Sequence, residues 1–142
     1  MRRMSDDEVR AFLSEGTRTG KLAVTRLDGS PMVVPIWFVL DDDGSLLFTT
    51  WHETIKAKAL RRDARVSICV DEEQPPYGYV RVDGVAEIGD DPAELRAWAT
   101  RIGGRYMGAD EAERFGARNG VPGELLVRVR PSRVVAQADI AD

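Results

Sequence analysis

The sixteen residues FTTWHETIKAKALRRD, Phe48 to Asp63, pass from a strand-like run into a helix-like one and carry the chain's only histidine, His52, with three threonines and four cations. Leu46, Leu47, Phe48, Thr49 and Thr50 suit a pleated, half-buried surface. Placed at ~100° per residue, positions 54–63 put Ile55, Ala59 and Leu60 on one apolar stripe, with Lys58, Arg61 and Arg62 pointing away from it. Lys56 lies between Ala59 and Leu60 on the wheel and so faces the protein. It also stands in the first helical turn, where the macrodipole disfavours a cation by ~0.3–1 kcal/mol. A cation held against both burial and dipole calls for an anion beside it. The plain alternative is that Lys56 runs along the apolar edge with its ammonium in water and the whole cationic set solvates a surface helix. With Thr49, Thr50, Thr54 and the orphan amides of the first turn, Lys56 would instead complete a phosphate site of the strand-end, helix-start type. Neither GxxxxGK(S/T) nor GxGxxG occurs, which excludes a Walker loop and a Rossmann turn.

On the N-terminal side, Ser5 and Glu8 form the spacing of a capping box, and Val9, Phe12 and Leu13 recur at helical intervals until Gly16, predicting a short helix over 5–15. KLAVTRL and MVVPIWFVL are β-rich runs separated by DGSP, and DDDG leads into SLLFTT, predicting a three-strand meander. Pro35 cannot donate to a ladder, so its strand should lie at an edge or carry a bulge. On the C-terminal side, RVSICV (65–70) reads as a strand, DEEQPPYG as a loop and YVRVDGVAEI (79–88) as a half-buried strand with a bulge at Gly84. Asp91 to Glu94 open a helix with Leu95, Trp98, Ala99 and Ile102 on one stripe, ending near Gly103 and Gly104. ADEAERFGARNG predicts a further short helix and ELLVRVRP a sixth strand, followed by a loosely patterned tail over about 132–142. Strands outnumber helices and their connections are short, so the fold class is mainly β: an antiparallel barrel or strongly curved sheet with helices at its rim.

A chain of 142 residues is expected to form one domain, 1–142, burying roughly 70% of the surface its unfolded form exposes. No apolar run approaches the ~20 residues of a membrane span, and MRRMSDDEVR lacks the apolar core of a signal peptide, so a soluble, cytoplasmic protein is expected. One cysteine, Cys69, excludes an internal disulfide, and with His52 alone beside it no structural metal site is expected. A net charge of −4 argues against nucleic-acid binding, despite the local cluster of Lys56, Lys58, Arg61, Arg62 and Arg65. An acidic chain that gathers its cations in one place is suited to a small anion. Cys69, in an apolar strand, is expected to pack rather than react, and His52, in a polar loop, to hydrogen-bond rather than transfer protons.

The order of short helix, strand-DG-strand, FTT followed by T-x-K-x-x-x-L-R-R-D-x-R-V-S, an aromatic-containing loop and a strand with DGVAEI resembles the split β-barrel flavin and deazaflavin oxidoreductases, the pyridoxamine-phosphate-oxidase-like superfamily. The likeness covers about residues 5–136, is most specific from Thr49 to Ser67, and is strongest to the actinobacterial branch that uses coenzyme F420. It implies a split antiparallel β-barrel whose cofactor ring lies along Val33, Val34, Pro35, Ile36, Trp37 and Phe38. It implies that the phosphate is held by Thr49, Thr50, Thr54 and Lys56 and that Lys58, Arg61 and Arg62 extend the anion site. Trp37 and Trp51 either border the ring pocket or belong to the core, since aromatic rings supply large buried area. It further implies a homodimer in which Tyr77, Gly78 and Tyr79 approach from the other subunit. The function that follows is coenzyme F420-dependent hydride transfer to an unsaturated small-molecule substrate, the cofactor carrying the chemistry. FMN in the same fold, or a non-catalytic flavin- or deazaflavin-binding protein, are the alternatives. Vitamin B6 oxidases of this superfamily carry an arginine and histidine motif near the C-terminus, where this chain reads VRVRPSRVVAQADIAD without histidine.

Overall fold

A computed structural model describes Met1–Asp142. The elements are β1 (Arg2–Arg3), α1 (Asp6–Ser14), β2 (Gly20–Thr25), β3 (Pro31–Ile36), β4 (Val39–Leu40), β5 (Leu46–Trp51), α2 (Ile55–Arg62), β6 (Arg65–Glu72), β7 (Gly78–Gly89), α3 (Pro92–Met107), a 3₁₀ turn (Ala109–Glu111), α4 (Ala112–Asn119) and β8 (Glu124–Ala138). The strands form one antiparallel sheet in the order β3-β2-β6-β7-β8-β5-β4, with β1 added to β8. It is curled into a half-barrel, the split-barrel fold. No helix is long and apolar enough to cross a membrane.

The capping box at the start of α1 is formed as its spacing demands, with Ser5 Oγ accepting from Glu8 N and the Glu8 carboxylate accepting from Ser5 N. Pro35 does lie on an edge strand, since β3 pairs with β2 alone. The bulge at Gly84 is also present: Asp83 faces Arg133 while Gly84 faces Pro131, leaving Ser132 as the extra residue. A Cβ on Gly84 would stand 2.5 Å from the Arg130 carbonyl oxygen, so the strands approach there more closely than any side chain permits.

Three expectations are corrected. The first is the meander. The run MVVPIWFVL splits at Trp37 and Phe38, and β5 pairs along its length with β8, keeping only the two-residue hairpin to β4. The split is stabilised from α3. Phe38 N donates to Tyr106 Oη at 3.2 Å, and Arg105 Nη1 donates to Phe38 O at 2.8 Å, so the backbone groups that leave the ladder find side-chain partners. The second is the end of α3, which continues through Gly103 and Gly104 to Met107. Those glycines allow a close helix crossing rather than a stop: a Cβ on Gly103 would lie 2.5 Å from Phe115 Cβ in α4. The third is the tail, of which residues up to Ala138 belong to β8 and pair with β7 and β1. The exposed triplet Pro131-Ser132-Arg133 at the bulge interrupts the apolar alternation there and hides the strand in the sequence.

Two cores explain the consecutive buried residues of β5. Leu46 and Phe48 point into the barrel with Leu22, Ile68, Val80, Val82, Val127 and Val129. Leu47 points the opposite way and packs with Val39, Leu126 and the α3 residues Leu95 and Ile102, with Trp37, Trp98 and Tyr106 against them. This second core seats α3 on the outside of β5 and β8, which makes one wall of the cleft described next.

Candidate functional site

The end of β5 and the start of α2 lie together because the chain turns through His52 and Glu53 with its groups satisfied locally. His52 N donates to Gly123 O at 2.9 Å, and His52 Nδ1 lies 2.9 Å from the same oxygen. The Trp51 indole lies over Gly123, whose φ of +98° and lack of a Cβ are both required, since a Cβ would overlap the ring. This turn against turn packing sets the first residue of β8, Glu124, opposite Trp51 in the ladder.

Thr54 is the N-cap of α2, its hydroxyl accepting from Ala57 N at 3.2 Å and donating to Trp51 O at 2.9 Å. Thr50 Oγ1 lies 2.9 Å from Thr54 Oγ1, joining the strand hydroxyl to the cap. The amides of Ile55 and Lys56 are left as the free donors that a helix start presents. The Thr49 hydroxyl, half-buried, has no hydrogen-bond partner within the chain.

The buried face of α2 is Ala57, Ala59 and Leu60, with Lys56 half-buried between them. This corrects the apolar stripe: Ile55 is 63% exposed, and Ala57 replaces it. Lys56 keeps its place between Ala59 and Leu60, and the buried arc now extends past Leu60 to Ala57. Its ammonium forms no hydrogen bond or ion pair, and burial lowers its pKa from the ordinary lysine value, with the nearby Glu124 carboxylate acting in the opposite sense. Glu124 is half-buried and also without an ion-pair partner. Its pKa is raised, first by burial, against the effect of Lys56, Arg118 and His52.

Around these groups is a cleft of about 410 Å³ lined by Pro35, Ile36 and Trp37 of the β3 end, Thr49, Thr50, Trp51, Thr54 and Lys56, together with Ile102, Arg118, Asn119 and Glu124. Trp37 is fixed by stacking on Tyr106, with centroids 5.1 Å apart and planes 6° from parallel, and by Phe115 at 5.9 Å. The sequence-level site residues thus divide. Pro35, Ile36, Trp37, Thr49, Thr50, Trp51, Thr54 and Lys56 come together in one cleft. Val34 packs against the barrel core instead, because alternation turns its side chain inward. Lys58, Arg61 and Arg62 are exposed on the far face of α2, where Arg62 Nη2 donates to Thr25 O at 3.0 Å. Tyr77 and Gly78 line a different cleft beside α1, sharing no residue with the first, and Tyr79 lies in β7 beyond it. Tyr77 has a φ of +62°.

Arg118, Asn119 and Glu124 were missed from the sequence. Nothing in the spacing of ARNGVPGE marks it as facing α2, for the contact is made by the packing of α4 and the 120–123 turn. Burial raises the Cys69 thiol pKa, which lowers its thiolate content, and the His52 ring nitrogen Nδ1 is engaged with a backbone carbonyl. No three His, Cys, Asp or Glu side chains are grouped to hold a metal ion.

The curled sheet and its lateral cleft define a split barrel. The chain belongs to the pyridoxamine 5'-phosphate oxidase family, whose pattern it matches over residues 5–138. Among curated proteins none matches it. Among solved structures, it is similar to the conserved hypothetical protein Rv2991 of Mycobacterium tuberculosis, with a TM-score of 0.85 at 29% identity over 96% of this chain and 86% of that one. It is also similar to an F420 reductase, with a TM-score of 0.68 at 29% identity over 87% of this chain and 94% of that one. A FAD-binding protein of Mesorhizobium loti shares the fold, with a TM-score of 0.70 at 23% identity over 95% of this chain and 93% of that one.

Proposed function

We propose that the chain is an oxidoreductase that binds coenzyme F420 in the cleft beside α2 and serves hydride transfer to an unsaturated organic substrate. The observation that carries this reading is the Lys56 ammonium, half-buried on the packed face of α2 with no hydrogen bond or ion pair of its own, beside hydroxyls and helix-start amides. Such a donor set suits a phosphate. The cleft volume of about 410 Å³ is in the range of small-molecule sites. Thr49, Thr50, Thr54 and Lys56 would hold the phosphate, and the open edge formed by Pro35, Ile36 and Trp37 would lie along the ring. When bound, the deazaflavin supplies the hydride chemistry. The chain's own part is to bind and orient: Lys56 fixes the anion, and the Trp37–Tyr106 stack keeps that wall rigid.

The 29% identity to an F420 reductase supports the choice of cofactor. FMN is the alternative within the same donor set. Vitamin B6 oxidation is not proposed, because Arg130 and Arg133 are exposed and Arg130 is spent on Glu87 at 2.8 Å. The separation of Tyr77, Gly78 and Tyr79 from the cleft within one chain is accounted for by a homodimer in which a second copy brings them to it.

The test is a parallel titration of the protein and its Lys56→Ala variant with coenzyme F420 and FMN, followed by fluorescence quenching. Loss of a charge-assisted contact costs on the order of 1.5–3 kcal/mol, roughly a 10- to 150-fold weaker Kd. Unchanged affinity in the variant would remove Lys56 from the site and with it this reading.

A further inference from the structure

Glu124 is out of place in a site for an anion. It is half-buried, lines the same cleft as Lys56, forms no ion pair, and is locked in position by its ladder pairing with Trp51 and by the Gly123 turn that precedes it. Three charged side chains line that cleft: the cations Lys56 and Arg118 and the carboxylate Glu124. They leave a single net positive charge. A phosphodiester, with one negative charge, is matched by it. A phosphomonoester, a dianion above its second pKa of ~6, carries one charge too many.

We propose that Glu124 is a specificity residue that admits a phosphodiester cofactor and disfavours a phosphomonoester by charge repulsion at the anion site. This rests on the assignment of the phosphate to the Lys56 cleft and says how that cleft tells coenzyme F420, a phosphodiester, from FMN, a phosphomonoester. Discrimination by a repulsive group needs no additional contact to the favoured ligand. The carboxylate is shielded from solvent by the same packing that shields Lys56, so its repulsion is stronger than that of a surface charge. Burial also raises its pKa, in keeping with a carboxylate held in a poorly solvated place without a paired cation.

The experiment compares Kd for coenzyme F420 and FMN at pH 8 in the wild-type chain, Glu124→Gln and Lys56→Ala, with Glu124→Ala as a second neutral variant should the glutamine chain fold poorly. Glu124→Gln keeps shape and removes charge. The expected result is a preference for coenzyme F420 over FMN that shrinks on the order of tenfold in both neutral variants, mainly through tighter FMN binding. A preference that changes by less than about twofold, or that shifts because coenzyme F420 alone weakens, overturns the proposal. The two readings fail separately. If Lys56→Ala weakens both ligands but the neutral variants leave their ratio unchanged, Glu124 is not a selector and the anion site stands. If Lys56→Ala changes neither, or the wild-type chain binds neither, both fall.

Discussion

Replacing Arg105 by alanine should destabilise the protein far more than its position on a partly exposed helix suggests. Its guanidinium donates to Leu13 O at 2.8 Å, Gly16 O at 3.0 Å and Phe38 O at 2.8 Å, so one side chain joins the end of α1, the chain leaving β3 and α3. It also lies 4.8 Å from the Phe38 ring centroid and 5.0 Å from that of Tyr106. Hydrogen bonds from a charged donor contribute roughly 1.5–3 kcal/mol each. The carbonyl of Gly16, an exposed residue beyond α1, can recover water, whereas Leu13 and Phe38 are buried and their carbonyls recover less. Adding about 0.5–1 kcal/mol for the aromatic contacts and allowing for non-additivity gives a loss of ~3–5 kcal/mol. For a chain of this size that is a fall in Tm of about 10–15 °C. Arg101→Ala is the matched control, since Arg101 is exposed, makes one long bond of 3.4 Å to Leu40 O and lies over Trp98. It should lose less than about 1 kcal/mol. Urea denaturation of both variants at equal m-values measures the difference. A loss of less than about 1 kcal/mol for Arg105→Ala, or one equal to the control's, would refute the reasoning that this side chain replaces the missing ladder at Phe38.

Gly123→Ala should cost more than ~2 kcal/mol and weaken cofactor binding together, because the new methyl meets both a positive φ and the Trp51 ring; thermal unfolding and ligand titration would report it. Acid should destabilise the fold through the depressed carboxylates. Asp63 is held at about 2 by hydrogen bonds from Arg65, and Glu72 and Asp41 are lowered chiefly by Arg18 and Arg128. Their folded-state values lie below the unfolded ones, so the stability they contribute is complete above the unfolded values of 3.8 to 4.5 and is lost as pH falls towards about 2. Urea midpoints measured downwards from about pH 6 should therefore stay level and then decline below about pH 4.5; a midpoint that rises in acid would contradict the assignment.

What the sequence made legible follows from the range of the interactions involved. Ser5 with Glu8, Gly84 as a bulge and Pro35 at an edge are local statements, each determined by a few neighbouring residues, and each is present. The inward placement of Lys56 was legible for the same reason, though the wheel put Ile55 on the wrong side by ignoring the small Ala57, which can approach the sheet more closely. What could not be read is tertiary. The partner of β5 is β8, more than seventy residues on, because the backbone of Phe38 is satisfied by Arg105 and Tyr106. Gly103 and Gly104 look like a stop signal until Phe115 and Ala112 of α4 are seen to pack on them. A third of the cleft was invisible likewise, since Ile102, Arg118, Asn119 and Glu124 reach it only through the packing of α3, α4 and β8.

The length of β8 has a consequence for how the protein comes into being. This strand pairs with β7, with β5 and with β1, so residues 124–138 close contacts with segments as early as Arg2 and Arg3. During synthesis, β2, β3, β6 and β7 can find one another in turn, but β5 must wait with its ladder open until the far end of the chain emerges. For that interval the apolar face of Leu46 and Phe48 is uncovered. At a synthesis rate of ~5–20 residues per second, the wait from Trp51 to Val129 lasts about 4–16 seconds, a window in which a nascent chain is most exposed to aggregation and to chaperones.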